Sequence, residues 1–349
     1  MTMPPADVPV PTLLTRSVVL EPDRVRILDR RIFPHEVRYV DCRTVDEVAL
    51  AIEQMVTQSS GPYFAAGAAM VLAAREAAAL REHAAREALM RAAGERLVAT
   101  RKTNNNIAQA VAGVLDGVSE ACARLEGAAL SDAVEAKVRA MWEQRRANSR
   151  LIGRHAATLL KDGDRVLTHC WADAAFIECL AAATRDGKRL EVTCTETRPY
   201  LQGARLTAHS VAEMGLPVTV ITDGMAAWAM DRGKVDVLLT AADRVTMSGH
   251  VVNKIGTLQL AIAAQAYRIP YYATVTLPDV NAPGPQAVPI EERDPEESLT
   301  CLGMRTATPL AQGWYPSFDV TPPSLVSAIV SRLGVHAPTA LAAGMAAAA

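Results

Sequence analysis

Between residues 164 and 275 the chain alternates short, β-branched apolar runs with amphipathic stretches of helical period, and this rhythm restricts it to an α/β sheet. The strand-like runs fall at 164–169, 190–193, 217–222, 235–240 and 271–275. Helical patterns fill the gaps at 172–184, 204–214, 225–231 and 258–267. Parallel strands joined by helices of this length make right-handed crossovers, so the prediction is a doubly wound, mostly parallel, Rossmann-like sheet.

The first part of the chain reads differently. Residues 1–16 are Pro-rich and are expected to be disordered. Residues 17–42 alternate as a small antiparallel β meander, and 45–58, 64–92, 103–116 and 131–146 read as helices, with a break at Ser59-Ser60-Gly61-Pro62. The predicted division is therefore an N-terminal meander plus helical domain at 17–147, a Rossmann-like domain at 148–338, and a low-complexity tail at 339–349. Within the second domain, 279–286 is a Pro/Gly loop and 323–332 a last helix.

With 36 basic and 38 acidic residues the net charge is −2, so no global field favours nucleic acid or an anionic membrane. Any anionic substrate must meet local donors. The six cysteines are scattered, with no CxxC pair, as expected of reduced thiols in a cytoplasmic protein. The first residues do not read as a signal peptide, and the Ala-rich helices are interrupted by charge too often for a membrane span.

In an open α/β sheet ligands bind beyond the carboxyl ends of the strands. The residues placed there are Thr168-His169-Cys170, Glu196-Thr197-Arg198 with Gln202-Gly203, Asp223-Gly224, and Asp243-Arg244. A thiol, carboxylates, a guanidinium and an amide suit proton transfer on a polar small molecule. There is no metal-ligand spacing and no GxGxxG or GxxxxGK[ST] loop, so no metal or nucleotide cofactor is expected. Each residue also has a plainer reading. Cys170 can be a small core hydrophobe, His169 a buried hydrogen-bonding group, Asp223 a helix cap, and Arg198 a donor to loop carbonyls. Arg244 reads as the partner of a nearby carboxylate. Asp243 is the hardest to dismiss, because no helix follows it closely enough to be capped.

LTHC (167–170), ETRPYLQGARLTA (196–208), PVTVITDGMAAWAM (217–230), ADRV (242–245), NKIGT (253–257), PIEERDPEE (289–297) and FDVTPP (318–323) together resemble the methylthioribose-1-phosphate isomerase family. That family is related to ribose-1,5-bisphosphate isomerases and to regulatory subunits of translation initiation factor 2B. The resemblance spans about Val18 to Val335. It implies an aldose–ketose isomerase acting on a 5-substituted ribose 1-phosphate, without a cofactor, and a homodimer. Cys170 and Asp243 become the catalytic pair, with Arg101, Gln202, Asn253 and Lys254 on the substrate and its phosphate. Arg198 and Lys102 are further candidates for substrate contact. The alternatives are a non-catalytic sugar-phosphate-binding regulatory protein and a ribose-1,5-bisphosphate isomerase.

The departures from the family pattern cluster around the expected pocket. Gln58-Ser59-Ser60-Gly61-Pro62 stands where the family has an Arg-Gly-Ala-Pro loop, and Lys102 is a possible replacement for the lost charge. Trp171-Ala172-Asp173 replaces a small turn after the cysteine, Ala241 a glycine, His250 an aspartate, and Tyr315 an asparagine. These letters predict inherited chemistry with an altered substrate.

Overall fold

The computed structural model describes residues 8–101 and 105–341. It divides into two compact units, one of residues 12–146 and one of 147–341 together with 8–11.

The first unit opens with a three-stranded antiparallel sheet of β1 (Val18–Leu20), β2 (Val25–Leu28) and β3 (Tyr39–Cys42). Helices α1 (Val45–Glu53), α2 (Gly61–Ala77), α3 (His83–Ala99), α4 (Asn105–Leu115), α5 (Val118–Arg124) and the start of α6 (Ala128–Ala157) follow. Thr44 and Glu47 form a capping box at the start of α1, each side chain accepting the other's main-chain N–H. α2 is apolar on nearly every face and is accordingly buried all round, in a core with Val48, Ile52, Met90, Leu97, Ile107 and Leu130.

Two expectations fail here for local reasons. The helix predicted at 64–92 is broken between α2 and α3, because buried Arg86 reaches back to the carbonyls of Leu80 and Arg81, both at 2.9 Å. A guanidinium thus satisfies carbonyls that a continuous helix would have bonded internally. Of the disorder expected through residue 16, residues 1–7 lie outside the described residues; from residue 8 on the expectation is corrected, since Val8 and Leu13 are buried and Thr12–Thr15 forms one helical turn.

The second unit is built on a seven-stranded sheet with the order β15-β14-β10-β7-β4-β5-β6. Its strands are β4 (Arg165–Thr168), β5 (Glu191–Thr195), β6 (Val218–Ile221), β7 (Val237–Ala241), β10 (Tyr271–Thr274), β14 (Ala328–Ser331) and β15 (Gly334–His336). All pairs are parallel except the β14–β15 hairpin. Crossovers run through α7 (Asp173–Arg185), α8 (Ala208–Glu213), α9 (Ala226–Asp231) and α10 (Thr257–Ala266). The doubly wound, mostly parallel architecture is the one the alternating pattern predicts. The last helix is not: 328–331 is strand β14, every residue of it buried in the sheet, and Pro323–Leu325 is only a single 3₁₀ turn. Ala-Ile-Val-Ser buried on both faces has no polar stripe to present to solvent as a helix requires.

A smaller antiparallel sheet, ordered β13-β9-β8, joins β8 (Arg244–Val245), β9 (Val251–Lys254) and β13 (Phe318–Thr321). β11 (Thr300–Cys301) and β12 (Met304–Arg305) form a separate short hairpin.

Candidate active site

The strand order fixes where the site lies. Winding runs outward from β4 through β5 to β6 on one side and from β7 through β10 to β14 on the other. It therefore reverses between β4 and β7, and this switch point opens a crevice at the carboxyl ends. Cys170 stands two residues past β4 and Asp243 two residues past β7. At the opposite ends the Arg165 guanidinium makes paired 2.7 Å bonds to both oxygens of Asp236, which pins the register of the two strands.

Cys170 is buried and has φ +63°, a conformation that costs a non-glycine residue about 1–3 kcal/mol unless its surroundings enforce it. The surroundings do. Its N–H donates to Thr197 Oγ1 at 2.8 Å, and its carbonyl accepts from Thr207 Oγ1 at 2.6 Å. The Thr207 hydroxyl also accepts the N–H of Ala172 at 3.2 Å.

His169 takes the plainer of its two readings. Its Nε2 lies 2.9 Å from the Ile255 carbonyl, so it must donate there, leaving Nδ1 to accept from Thr195 Oγ1 at 2.6 Å. Burial holds the imidazole below its usual pKa, which keeps this neutral tautomer. Gly256 lies against the ring with φ +103°, and a Cβ there would stand 3.1 Å from it.

Asp223 does not cap a helix. Its two oxygens accept the N–H groups of Thr197 and Arg198, each at 2.8 Å, and so hold the loop after β5. Arg198 donates to the carbonyls of Pro199, Ser298 and Thr300 at 3.1, 3.4 and 2.8 Å. These bonds match its plainer reading as a donor to loop carbonyls. Gln202 is buried at the entry to a π-turn, Gly203–Thr207. Gly203 passes so close to β5 that a Cβ would lie 1.8 Å from the Thr195 carbonyl oxygen. Arg244 pairs with Asp279 at 3.4 Å.

Asn253 and Lys254 are buried on β9. Asn253 Nδ2 donates to Thr257 Oγ1 at 3.0 Å, and that hydroxyl donates to the Lys254 carbonyl at 2.7 Å. Lys254 Nζ lies 3.4 Å from the Tyr315 hydroxyl and 5.0 Å from the Phe318 ring centroid. Burial lowers the pKa of the Lys254 ammonium, and attraction to Cys170 partly restores it. Burial raises the Cys170 thiol, and Lys254 pulls it back down. Desolvation thus disfavours the charged form of each group, and the attraction between thiolate and ammonium opposes it at both. Asp243, exposed at the strand end, acts electrostatically on both groups.

Of the remaining expected residues, Arg101 follows α3 in the first unit and Lys102 lies outside the described residues. Sequence reading missed three others. Arg293 is mostly buried, 3.3 Å from Glu291, and donates to Tyr200 Oη at 3.2 Å. Tyr200 in turn donates to Glu297 at 2.9 Å, and the Arg293 N–H donates to the Tyr315 carbonyl at 3.0 Å. The signal available was a single arginine among the carboxylates of PIEERDPEE. Asp319 is the third. Among the described residues no cluster of His, Cys, Asp and Glu is arranged to hold a metal, and no helix is long and apolar enough to cross a membrane.

Comparison with known proteins decides the family. The initiation factor 2 subunit family matches residues 59–338. A methylthioribose-1-phosphate isomerase of Anaeromyxobacter dehalogenans is 40% identical over 335 residues, 93% of this chain and 94% of that protein. The chain belongs to the methylthioribose-1-phosphate isomerase family. It is an isomerase. The crystal structure of 5-methylthioribose 1-phosphate isomerase from Pyrococcus horikoshii OT3 superposes with a TM-score of 0.87 at 31% identity, covering 97% of each chain. Translation initiation factor eIF-2B subunit delta from A. fulgidus has a TM-score of 0.81 at 30% identity, covering 93% of this chain and 96% of that one. The same fold therefore carries both an isomerase and an initiation-factor subunit, and the difference rests with the site.

Proposed function

We propose that this family member interconverts a 5-substituted ribose 1-phosphate, methylthioribose 1-phosphate or a 5-deoxy relative, and the corresponding ribulose 1-phosphate. The observation that carries the reading is the placement of Cys170 and Asp243 past adjacent strands on either side of the switch point, with Lys254 coupled to both. Asp243 gives a proton to the ring oxygen as the bond from that oxygen to C1 breaks. Hydrogen then moves from C2 to C1, either as a proton taken and returned through Cys170 or as a hydride. In both routes the C2 hydroxyl gives its proton to the Asp243 carboxylate left by the first step, and C2 becomes the ketone. The phosphate stays on C1 throughout, met by Lys254 and Asn253, with Gln202 as a further substrate contact. The buried, cation-coupled thiol gives Cys170 the means to exchange protons without solvent.

Supplying methylthioribose 1-phosphate, 5-deoxyribose 1-phosphate and ribose 1,5-bisphosphate, and following ketose formation by NMR, tests this directly. Turnover of a 5-thio or 5-deoxy substrate that is abolished in both Cys170→Ala and Asp243→Asn supports it. Binding without turnover of any of the three, unchanged in Cys170→Ala, overturns it. The proposed homodimer is checked by sedimentation, with exposed Met225, Trp228 and Ile262 on and beside α9 and α10 as the apolar surface to substitute.

A further inference from the structure

Asp319 makes no contact with Cys170 or Asp243 in the chemistry above, yet it grips the turn that carries the anion-binding pair. It lies on β13 directly opposite Asn253 in the antiparallel ladder, with Phe318 opposite Lys254. One carboxylate oxygen accepts the Gly256 N–H at 2.7 Å, and the Leu258 N–H is shared between both oxygens at 3.1 Å each. The neighbouring Ile255 carbonyl is held from the other side by His169, the residue before Cys170. The turn from Asn253 to Leu258 is thus clamped between His169 and Asp319. The two clamps differ in kind. The histidine bond is neutral, whereas the aspartate bonds are charge-assisted only while the carboxyl is ionised and weaken when it is protonated.

We propose that Asp319 is a positioning residue of the site: its carboxylate, by holding Gly256 and Leu258, aims Asn253 and Lys254 at the substrate, and protonating it releases them. The role rests on the reading of Asn253 and Lys254 as substrate contacts. The titratable groups facing the carboxylate are Lys254 on β9, whose charge favours ionisation, and the Tyr271 phenol on β10, itself bonded to Thr240 at 2.9 Å. Burial dominates and raises Asp319 from 3.8 to about 6, against the opposing pull of the amide bonds and Lys254. The ionised form is thus held above about 6. The sign for stability is adverse. Between 3.8 and about 6 the folded chain keeps a proton that the unfolded chain has lost, so stability falls as pH rises through that window.

Amide hydrogen exchange of the full chain over residues 251–260, in wild type and Asp319→Asn at about pH 5 and about pH 7.5, tests this after correction for intrinsic rates. In wild type, protection of this segment is expected to be about tenfold greater at the higher pH, because losing the bonds to Gly256 and Leu258 while the carboxyl stays buried raises its proton affinity further, whereas complete unfolding hydrates it and lowers that affinity. Asp319→Asn is expected to show the lower value at both. With the substrate identified above, wild-type kcat/KM should fall below about pH 6, and the variant should be about tenfold slower at neutral pH without that acid limb. Wild-type protection that is flat across the pH range overturns the proposal, whether or not the variant folds. Variant protection within about twofold of wild type at the higher pH overturns it as well. Because exchange needs no substrate, failure of the isomerase reading shows as absent turnover alone, whereas failure of the positioning role shows as unchanged exchange.

Discussion

Thr197 Oγ1 accepts the main-chain N–H of Cys170 at 2.8 Å, so the residue two past β5 fixes the residue two past β4. Thr207 closes the other side by donating to the Cys170 carbonyl. The left-handed backbone at the thiol is held from a neighbouring strand and a following turn, and Asp223 in turn holds the Thr197 N–H.

Thr197→Val keeps the shape of the side chain but leaves a buried N–H without its acceptor. Urea denaturation should show a loss of about 1–3 kcal/mol, with a larger fractional loss of turnover than of substrate affinity. Thr197→Ser should retain most of both. Equal stability of the Val and Ser variants contradicts the clamp.

The Cys170 thiol is raised by burial from its ordinary 9.0 and lowered by Lys254. Its alkylation by iodoacetamide should therefore keep accelerating above about pH 9. Removing the ammonium in Lys254→Met raises the thiol further, so alkylation at a fixed pH near 8 should slow several-fold. The rates are read by mass spectrometry of the Cys170 peptide. A faster reaction in Lys254→Met refutes the coupling.

Gly203→Ala places a methyl 1.8 Å from the Thr195 carbonyl oxygen, a backbone atom that cannot swing aside. The thermal midpoint should drop by the equivalent of about 3 kcal/mol or more. At Gly224, where an added Cβ meets nothing within 4 Å, the same substitution should stay within about 0.5 kcal/mol.

Tyr315 is buried with its hydroxyl accepting from Lys254, so it occupies space and donor capacity beside that ammonium. Tyr315→Asn should shift relative kcat/KM toward substrates with bulkier C5 groups by about tenfold. Tyr315→Phe, which keeps the volume, should leave the size preference in place. Competition between two substrates in one reaction, followed by NMR, reads the ratio.

The motifs LTHC, ADRV and NKIGT were legible because local polar residues follow apolar runs, and strand ends in an α/β sheet are where such residues gather. The division of labour among them was not. Arg198 is chemically as able to meet a phosphate as to hold carbonyls, and its bonds to Ser298 and Thr300 come from about a hundred residues later in the chain. Asp319 gave no local sign of importance because its partners are main-chain N–H groups, which are present at every residue.

By itself the sequence determined the alternation of strand and helix, the family, and the residues that sit at the strand ends, since periodicity and side-chain chemistry are local properties. The structure alone decided the order of strands that sets Cys170 beside Asp243, the strand character of 328–331, and the small sheet that pairs Asp319 with Asn253. Those depend on which distant segments share hydrogen bonds and burial, and long-range pairing leaves no period along the chain to read.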